Sequence, residues 1–455
     1  MNGKEAVLLS EINTSVFSRH LELHTSSGVE LLSAELVSDA LADLGVSFRD
    51  RIFNPFMTLF AFLSQVFSSD HSGLNAVNMV NASRQSRGLS PCCPNTGSYT
   101  KAKSRLPLKL IELLAKKTAI TSDNDWKLGR VMVVDGSGVS MPDTSANKKV
   151  FPLRKCNRHG FPSARLLVLF SLGTGSLIDL AFAAMKGKGT GELSLLKKVW
   201  NHLKPGDTLL GDCLFSSFGV LCQAQADGIH VVTEFRKSQS RQLNSRHAEQ
   251  IIQLKKPPKP PLYVSEAEFA LWPEFIKVRV IKLLCAPQGF RAKTKYILTT
   301  ITDGKLIDAQ EILDLYRKRW QAELNLRALK TTLGLDVLRG QSPEMVSKEI
   351  WVHMLAYNLI RGVMYAAGTK KQTPPILLSF KAAQQLIYLA RNVTAVGGRM
   401  LNGVWTNLLD LIAAHPVGNR PNRYEPRVLK RRKKNFTLMS ESRKSAKRRL
   451  HKKWK

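Results

Sequence analysis

Arg130-Val-Met-Val-Val-Asp-Gly-Ser-Gly138 is where the pattern of the chain changes class. Four consecutive apolar residues, Val131 to Val134, end in Asp135-Gly136, as a strand buried on both faces does when it carries an acid at its carboxyl end. The arrangement returns downstream, where Thr208-Leu-Leu-Gly211 ends in Asp212. Between and after the two runs lie apolar stretches at Leu166–Leu172 and Leu177–Met185, an amphipathic helix over Glu192–Leu203, a helix around Ser217–Asp227 and a strand over Ile229–Phe235. This β-β-β-α-β-α-β series predicts an α/β layered domain.

Around this centre the chain divides by composition. Residues 1–125 are helical in pattern, with Leu31, Leu32, Leu36, Leu41 and Leu44 at helical spacing and a helix start at Asn54-Pro55. Ser98–Leu106 followed by Leu108–Lys117 is similar to the second half of a helix-turn-helix. Its basic residues Lys101, Lys103 and Arg105 are placed on the exposed side as candidate DNA contacts, or as a solvated basic helix. Residues 126–350 are expected to form the α/β domain, interrupted at about 236–296 by a β-rich insertion. There Lys255-Lys-Pro-Pro-Lys-Pro-Pro261 is a stiff connector, and Phe275–Val280 alternates apolar and basic, giving the insertion a cationic outer face. A helical region, 351–418, and a basic tail, 419–455, close the chain.

Charge is the compositional outlier. With 68 Lys+Arg against 35 Asp+Glu the chain carries +33, which calls for a polyanionic partner, since phosphate neutralisation dominates nucleic-acid affinity. A membrane surface ranks second, because no basic amphipathic anchor is evident and Leu166–Met185 is interrupted by Gly173, Gly175 and Asp179. From Arg420 onward 16 Lys+Arg meet 2 Glu. Lys430, Arg431 and Arg432, at the centre of that run, are read as a phosphate-contacting arm or a solvated tail. Six cysteines without a C-x-x-C pair fit the reduced thiols of a cytoplasmic protein. The histidines form no H-E-x-x-H pair, and the single H-x3-H spacing, His20-Leu-Glu-Leu-His24, has no C-x-x-C pair to complete a zinc site, so any metal is expected to fall to carboxylates, which favours magnesium or manganese.

The last informative stretch is Asp308–Gly334, read as one helix. At about 100° per residue, Tyr316, Arg319, Glu323 and Lys330 fall on one stripe. Taken alone, Arg319, Glu323 and Arg327 form ordinary i,i+4 ion pairs. Together with Asp135 and Asp212, however, Glu323 completes a set of three carboxylates, which repel one another and need a cation to be ionised together. Two shared divalent ions meet that need and supply phosphoryl-transfer chemistry.

Tyr316-x2-Arg319-x3-Glu323-x6-Lys330, with Asp135-Gly-Ser, Gly191-Glu-Leu, Pro205-Gly-Asp-Thr-Leu-Leu-Gly-Asp212 and Pro426-Arg-Val-Leu-Lys-Arg-Arg-Lys, resembles DDE transposases of the insertion-sequence-four family over essentially the whole chain. The resemblance implies an RNase H-like mixed sheet with a β-rich insertion, a helical N-terminal DNA-binding domain and a helical, basic C-terminal region. It implies that Asp135, Asp212 and Glu323 hold Mg2+, with Mn2+ as a substitute, and that Tyr316, Arg319 and Lys330 hold DNA phosphates. The function it implies is cut-and-paste transposition through a hairpin, by a homodimer on terminal inverted repeats and target DNA, in the bacterial cytoplasm at the nucleoid. Relatives often hold a flipped base on an insertion tryptophan. Trp272 does not match that position and is expected in the core, and Cys213 stands where many relatives carry a basic residue. A domesticated nuclease, or a non-catalytic DNA-binding repressor of the same descent, is the alternative.

Overall fold

The structure is a computed structural model that describes residues 32, 34–49, 51–85, 88–152, 160–236, 243–244, 246–285, 293–396, 401–417, 441 and 443–453. Lys430, Arg431 and Arg432 lie outside the described residues. Five helices come first: α1 (Ala34–Asp43), α2 (Pro55–Phe67), α3 (Gly73–Gln85), α4 (Gly97–Arg105) and α5 (Leu108–Lys117). The sheet region follows as β1 (Val131–Ser140), α6 (Ser145–Val150), β2 (Ser163–Ser171), β3 (Leu177–Ala184), α7 (Glu192–Val199), β4 (Thr208–Gly211), α8 (Phe218–Ala226) and β5 (His230–Glu234). Then come β6 (Glu249–Lys255), α9 (Glu266–Ala270), β7 (Phe275–Cys285), β8 (Lys293–Thr299), α10 (Ala309–Arg317) and α11 (Trp320–Arg327), which runs into a π-helical segment, Ala328–Thr332. Helices α12 (Pro343–Lys370), α13 (Phe380–Val396), α14 (Leu401–Ala413) and α15 (Arg443–Lys453) complete the order. No helix among the described residues is long and apolar enough to cross a membrane.

The strands make one mixed sheet, in the order β3-β2-β1-β4-β5-β8-β7-β6. β1, β4 and β5 run parallel, whereas β2 pairs antiparallel with β1, and β8 antiparallel with β5. This is the α/β layered domain expected from the element order and the mixed, RNase H-like sheet implied by the resemblance, and the insertion's strands extend the same sheet beyond β5. Strand alternation sorts the side chains onto two faces. Val131, Val133, Leu210, Val232 and Ile297 face the helices α10 to α14, while Met132, Val134, Leu209, Val231 and Leu298 face α7 and α8.

Three expectations are corrected here. β1 does not end at Val134: it continues to Ser140, because β2 pairs with it from Met132 to Ser140 while β4 pairs only from Val131 to Val133. Asp135 is therefore mid-strand, at the point where its parallel neighbour stops. The outer face of the insertion is not cationic at Arg279, which is buried and bonds the Glu249 carboxylate and the Ile307 carbonyl, each at 2.6 Å. Lys103 is not on the exposed side either. Its amine bonds Gln65 Oε1 at 3.1 Å and lies 4.6 to 4.9 Å from the ring centroids of Tyr99 and Phe62. Burial, opposed by Glu349, pulls its pKa down to about 8. Lys101 and Arg105 are exposed.

Helix α2 starts as read, with Asn54 accepting the Met57 N–H and Pro55 in the first turn. Trp272 is core, 5.6 Å from the Phe218 ring and 5.2 Å from that of Phe269. α12 begins earlier than its apolar run, where Ser342 caps the Met345 N–H. On it, His353 is fully enclosed, and burial, together with nearby His71, lowers its pKa from 6.5 to about 4. The folded chain thus binds fewer protons there than the unfolded one, so stability is complete above pH 6.5 and is lost as pH falls towards 4. Up to about 3 kcal/mol follows from the shift. Denaturant unfolding at pH 7 and pH 4.5 is expected to show this excess acid loss in the wild type and not in His353→Gln.

Candidate active site

The sheet brings three acids level. Two residues beyond the last parallel pair, Val133 with Leu210, stand Asp135 and Asp212; one residue beyond Gly211 with Thr233 stand Asp212 and Glu234. Alternation aims all three at the face covered by α10 and α11. The row β1, β4, β5 thus carries Asp135, Asp212 and Glu234 side by side.

Local structure fixes the first two. Asp135 Oδ1 accepts the Gly136 N–H at 2.8 Å, and Asp212 Oδ1 accepts the Leu214 N–H at 2.8 Å, capping the 3-10 turn Cys213–Ser216. Gly211 is required before that turn, since a Cβ there would stand 2.7 Å from the buried Phe215 ring. Arg236 ties the turn down from the end of β5, donating to the Leu214 carbonyl at 3.1 Å and the Cys213 carbonyl at 3.3 Å. A guanidinium therefore lies beside Cys213.

The helix read over Asp308–Gly334 is in fact broken. Asp308 caps α10 through a reciprocal box with Glu311. Past Tyr316 the hydrogen bonds tighten: Arg319 N–H reaches the Tyr316 carbonyl at 3.0 Å, Gln321 that of Lys318 at 2.9 Å and Ala322 that of Arg319 at 2.9 Å. Such i,i+3 winding turns faster than an α-helix, and the π segment after Arg327 turns more slowly. Gly334, at φ +79°, ends the stretch in the left-handed region.

Three of the four signature residues stay in contact, Tyr316 beside Arg319 and Arg319 beside Glu323, with Arg319 Nη2 2.9 Å from Glu323 Oε1. Tyr316 is buried and donates its hydroxyl hydrogen bond to Glu234 Oε2 at 3.1 Å. Burial first, then Glu234, pushes its pKa well above the ordinary value. Lys330 sits half-buried on the π segment and makes no hydrogen bond or ion pair among the described residues. Arg327 is exposed.

Electrostatics link helix and sheet. Burial above all, with Asp212 and Glu323 adding and Arg319 opposing, raises the pKa of Asp135 to about 6. Glu323 is held over the sheet by a buried polar tie: Asn325, two residues on, accepts from Arg361 Nη2 of α12 at 2.6 Å.

Three residues at the site were not read as site residues from the sequence, although Glu192 lies in the quoted Gly191-Glu-Leu. Glu234 ends its strand in an acid as the other two runs do, and that strand-end pattern was the signal available for it. Lys295, on β8, bonds Glu234 Oε2 at 2.7 Å. Glu192 lies against Gly136, where a Cβ would stand 2.5 Å from its carboxyl carbon, and its pKa is raised, by burial first and with a contribution from Asp212.

The transposase DDE domain family model matches residues 126–359. The chain is 26% identical over 349 residues to the transposase InsG for insertion sequence element IS4 of Escherichia coli (strain K12), covering 73% of this chain and 76% of that protein. It is 37% identical over 68 residues, 15% of this chain and 18% of the relative, to the transposase for insertion sequence element IS421 of Escherichia coli. Among solved structures it is similar to a piggyBac transposase synaptic complex with hairpin DNA, with a TM-score of 0.44, 11% identity and 83% of each chain covered. The family match spans the three strands that carry Asp135, Asp212 and Glu234 as well as the helix that carries Glu323, and the chain belongs to the transposase DDE domain family.

Proposed function

We propose that this transposase cuts DNA at the ends of its element and joins the freed 3′ ends to target DNA, with Asp135, Asp212 and Glu323 as the metal-holding carboxylates. The observation that carries the reading is the level placement of Asp135 and Asp212 on adjacent parallel strands, with Glu323 close enough to raise the pKa of Asp135. Each of the three carboxylates has one oxygen engaged and a second without a hydrogen bond among the described residues. That donor set suits a hard divalent ion such as Mg2+ or Mn2+. Among the described residues no three such groups stand close enough to enclose one ion, so Glu323 has to exchange Arg319 for the metal.

When bound, the ions supply an activated nucleophile and a stabilised leaving oxygen. The chain's own residues do the rest. Arg319, released from Glu323, offers a planar fork to a phosphate next to the scissile bond, and Lys330 offers a mobile point charge. Only the nucleophile differs between cutting and joining, so one site serves both. Lys101 and Arg105, exposed on α4, and the basic run around Lys430, Arg431 and Arg432 add phosphate contacts along the duplex. Joining two ends calls for two copies on DNA, and a hairpin at the element end is the expected intermediate.

The test is end cleavage and strand transfer on duplexes carrying the inverted repeats that border the gene. Magnesium and manganese are expected to support both steps, whereas calcium supports end binding without cutting. Full turnover in calcium, or in EDTA, would defeat the two-metal reading. A non-catalytic repressor would bind the ends in every case and cut in none.

A further inference from the structure

We propose that Glu234 is a positioning residue of this active site: it accepts the Tyr316 hydroxyl hydrogen bond, so that Tyr316 braces Arg319 instead of donating a hydrogen bond to DNA phosphate. The proposal rests on the site assignment above and alters the role of one residue in it.

A phenol has one hydrogen bond to donate. In this fold it goes to Glu234 Oε2 at 3.1 Å, and the same oxygen accepts from Lys295 Nζ at 2.7 Å. The phenol oxygen keeps only lone pairs, which a phosphate oxygen would repel. The Tyr316 ring is itself buried in the layer between α10 and the sheet, with Ile312, Leu313 and Leu315. The Arg319 guanidinium lies beside it, its carbon 5.9 Å from the ring centroid.

The position of the bond gives it leverage. Tyr316 is in the last turn of α10, directly before the tight winding that starts α11, so the tie to β5 sets where Arg319 and Glu323 begin. The chain of contacts runs from Glu234 through Tyr316 and Arg319 to Glu323. Glu234 is level with Asp212, yet Lys295 compensates its charge, which keeps it from acting as one more unpaired acid beside the catalytic pair.

The experiment uses the full chain as Tyr316→Phe, Glu234→Ala, Glu234→Gln and the Tyr316→Phe/Glu234→Ala double variant, with Asp135→Ala alongside. Single-turnover end cleavage in magnesium is expected to slow on the order of 10-fold in Tyr316→Phe and in Glu234→Ala, as for a misplaced catalytic group. The double variant should be no slower than the worse single one. Glu234→Gln, whose amide oxygen still accepts from the phenol, should recover most of the loss. End binding in calcium should be unchanged throughout, and in denaturant unfolding the double variant should be no less stable than the worse single variant.

Three results would overturn the proposal. Weaker end binding in Tyr316→Phe but not in Glu234→Ala would make Tyr316 a direct phosphate contact. Multiplying effects on rate or stability would mean the two residues act separately. Glu234→Gln as inactive as Asp135→Ala would make Glu234 a metal ligand. Should Asp135→Ala cleave like the wild type, the site assignment fails, and the unfolding comparison alone then decides whether Glu234 and Tyr316 act as a pair.

Discussion

Alanine at Asp135 or at Asp212 is expected to lower end cleavage and strand transfer on the order of 10³-fold or more, the scale on which a preorganised electrostatic group contributes, while end binding stays measurable. The two acids reach the site by different routes. Asp135 projects from the middle of a strand paired along its length with β2, so its loss leaves β1 in place. Asp212 caps the turn that follows β4, so Asp212→Ala also frees the Leu214 N–H. Asp212→Asn separates these effects, since it keeps the cap oxygen and removes the charge. Single-turnover cleavage together with electrophoretic mobility shift of the end duplex checks both variants. Cleavage within a few-fold of the wild type in Asp135→Ala would remove that residue from the chemistry.

The second large effect is expected at Arg361. Its guanidinium is buried, donates to Asn325 Oδ1 at 2.6 Å and to the Tyr357 hydroxyl at 2.9 Å, and lies 5.3 Å from the centroids of both the Tyr357 and Phe380 rings. Arg361→Ala leaves Asn325 Oδ1 with only the long bond from Gln321 at 3.4 Å and opens a void between α12 and α13. The cost is about 3 kcal/mol or more, read as a lower denaturant midpoint. Cleavage should fall as well, because Asn325 is two residues from Glu323 on α11. Arg361→Lys keeps the charge but not the fork and is expected to recover little. A midpoint unchanged in Arg361→Ala would mean that α11 is held by its apolar contacts alone.

The sheet was legible because its strands are continuous apolar runs punctuated by Asp-Gly, Gly-Asp and a Gly-rich turn. The start of α2 was legible from Asn54-Pro55. What escaped the sequence is in each case a contact between distant residues. Tyr316–Glu323 contains neither proline nor glycine and suits a helix throughout; the break comes from the tie of Tyr316 to β5 and the seating of α11 over β1. Arg279 alternates with apolar neighbours as an outward residue does, but Glu249 and the Ile307 carbonyl meet it inside. Lys103 reads as a surface cation until Gln65, Phe62 and Tyr99 gather around it. Asp135 and Asp212 were legible as acids following apolar strand runs, and the Arg319–Glu323 ion pair was legible from its i,i+4 spacing. That Tyr316 turns to Glu234 was not, because an acid at the end of β5 belongs to no motif.

The long helix α12 has one more consequence. It spans 28 residues, about 42 Å at 1.5 Å per residue, and packs against α2 and α5 as well as against β3, α13 and α14. Its apolar surface is thus shared between the N-terminal helices and the catalytic sheet. Neither part keeps its lining once the other melts, and the two are joined into one cooperative unit. Shuffling the N-terminal helices between relatives would therefore require exchanging α12 with them, which makes this helix the seam along which the N-terminal helices and the sheet must evolve together.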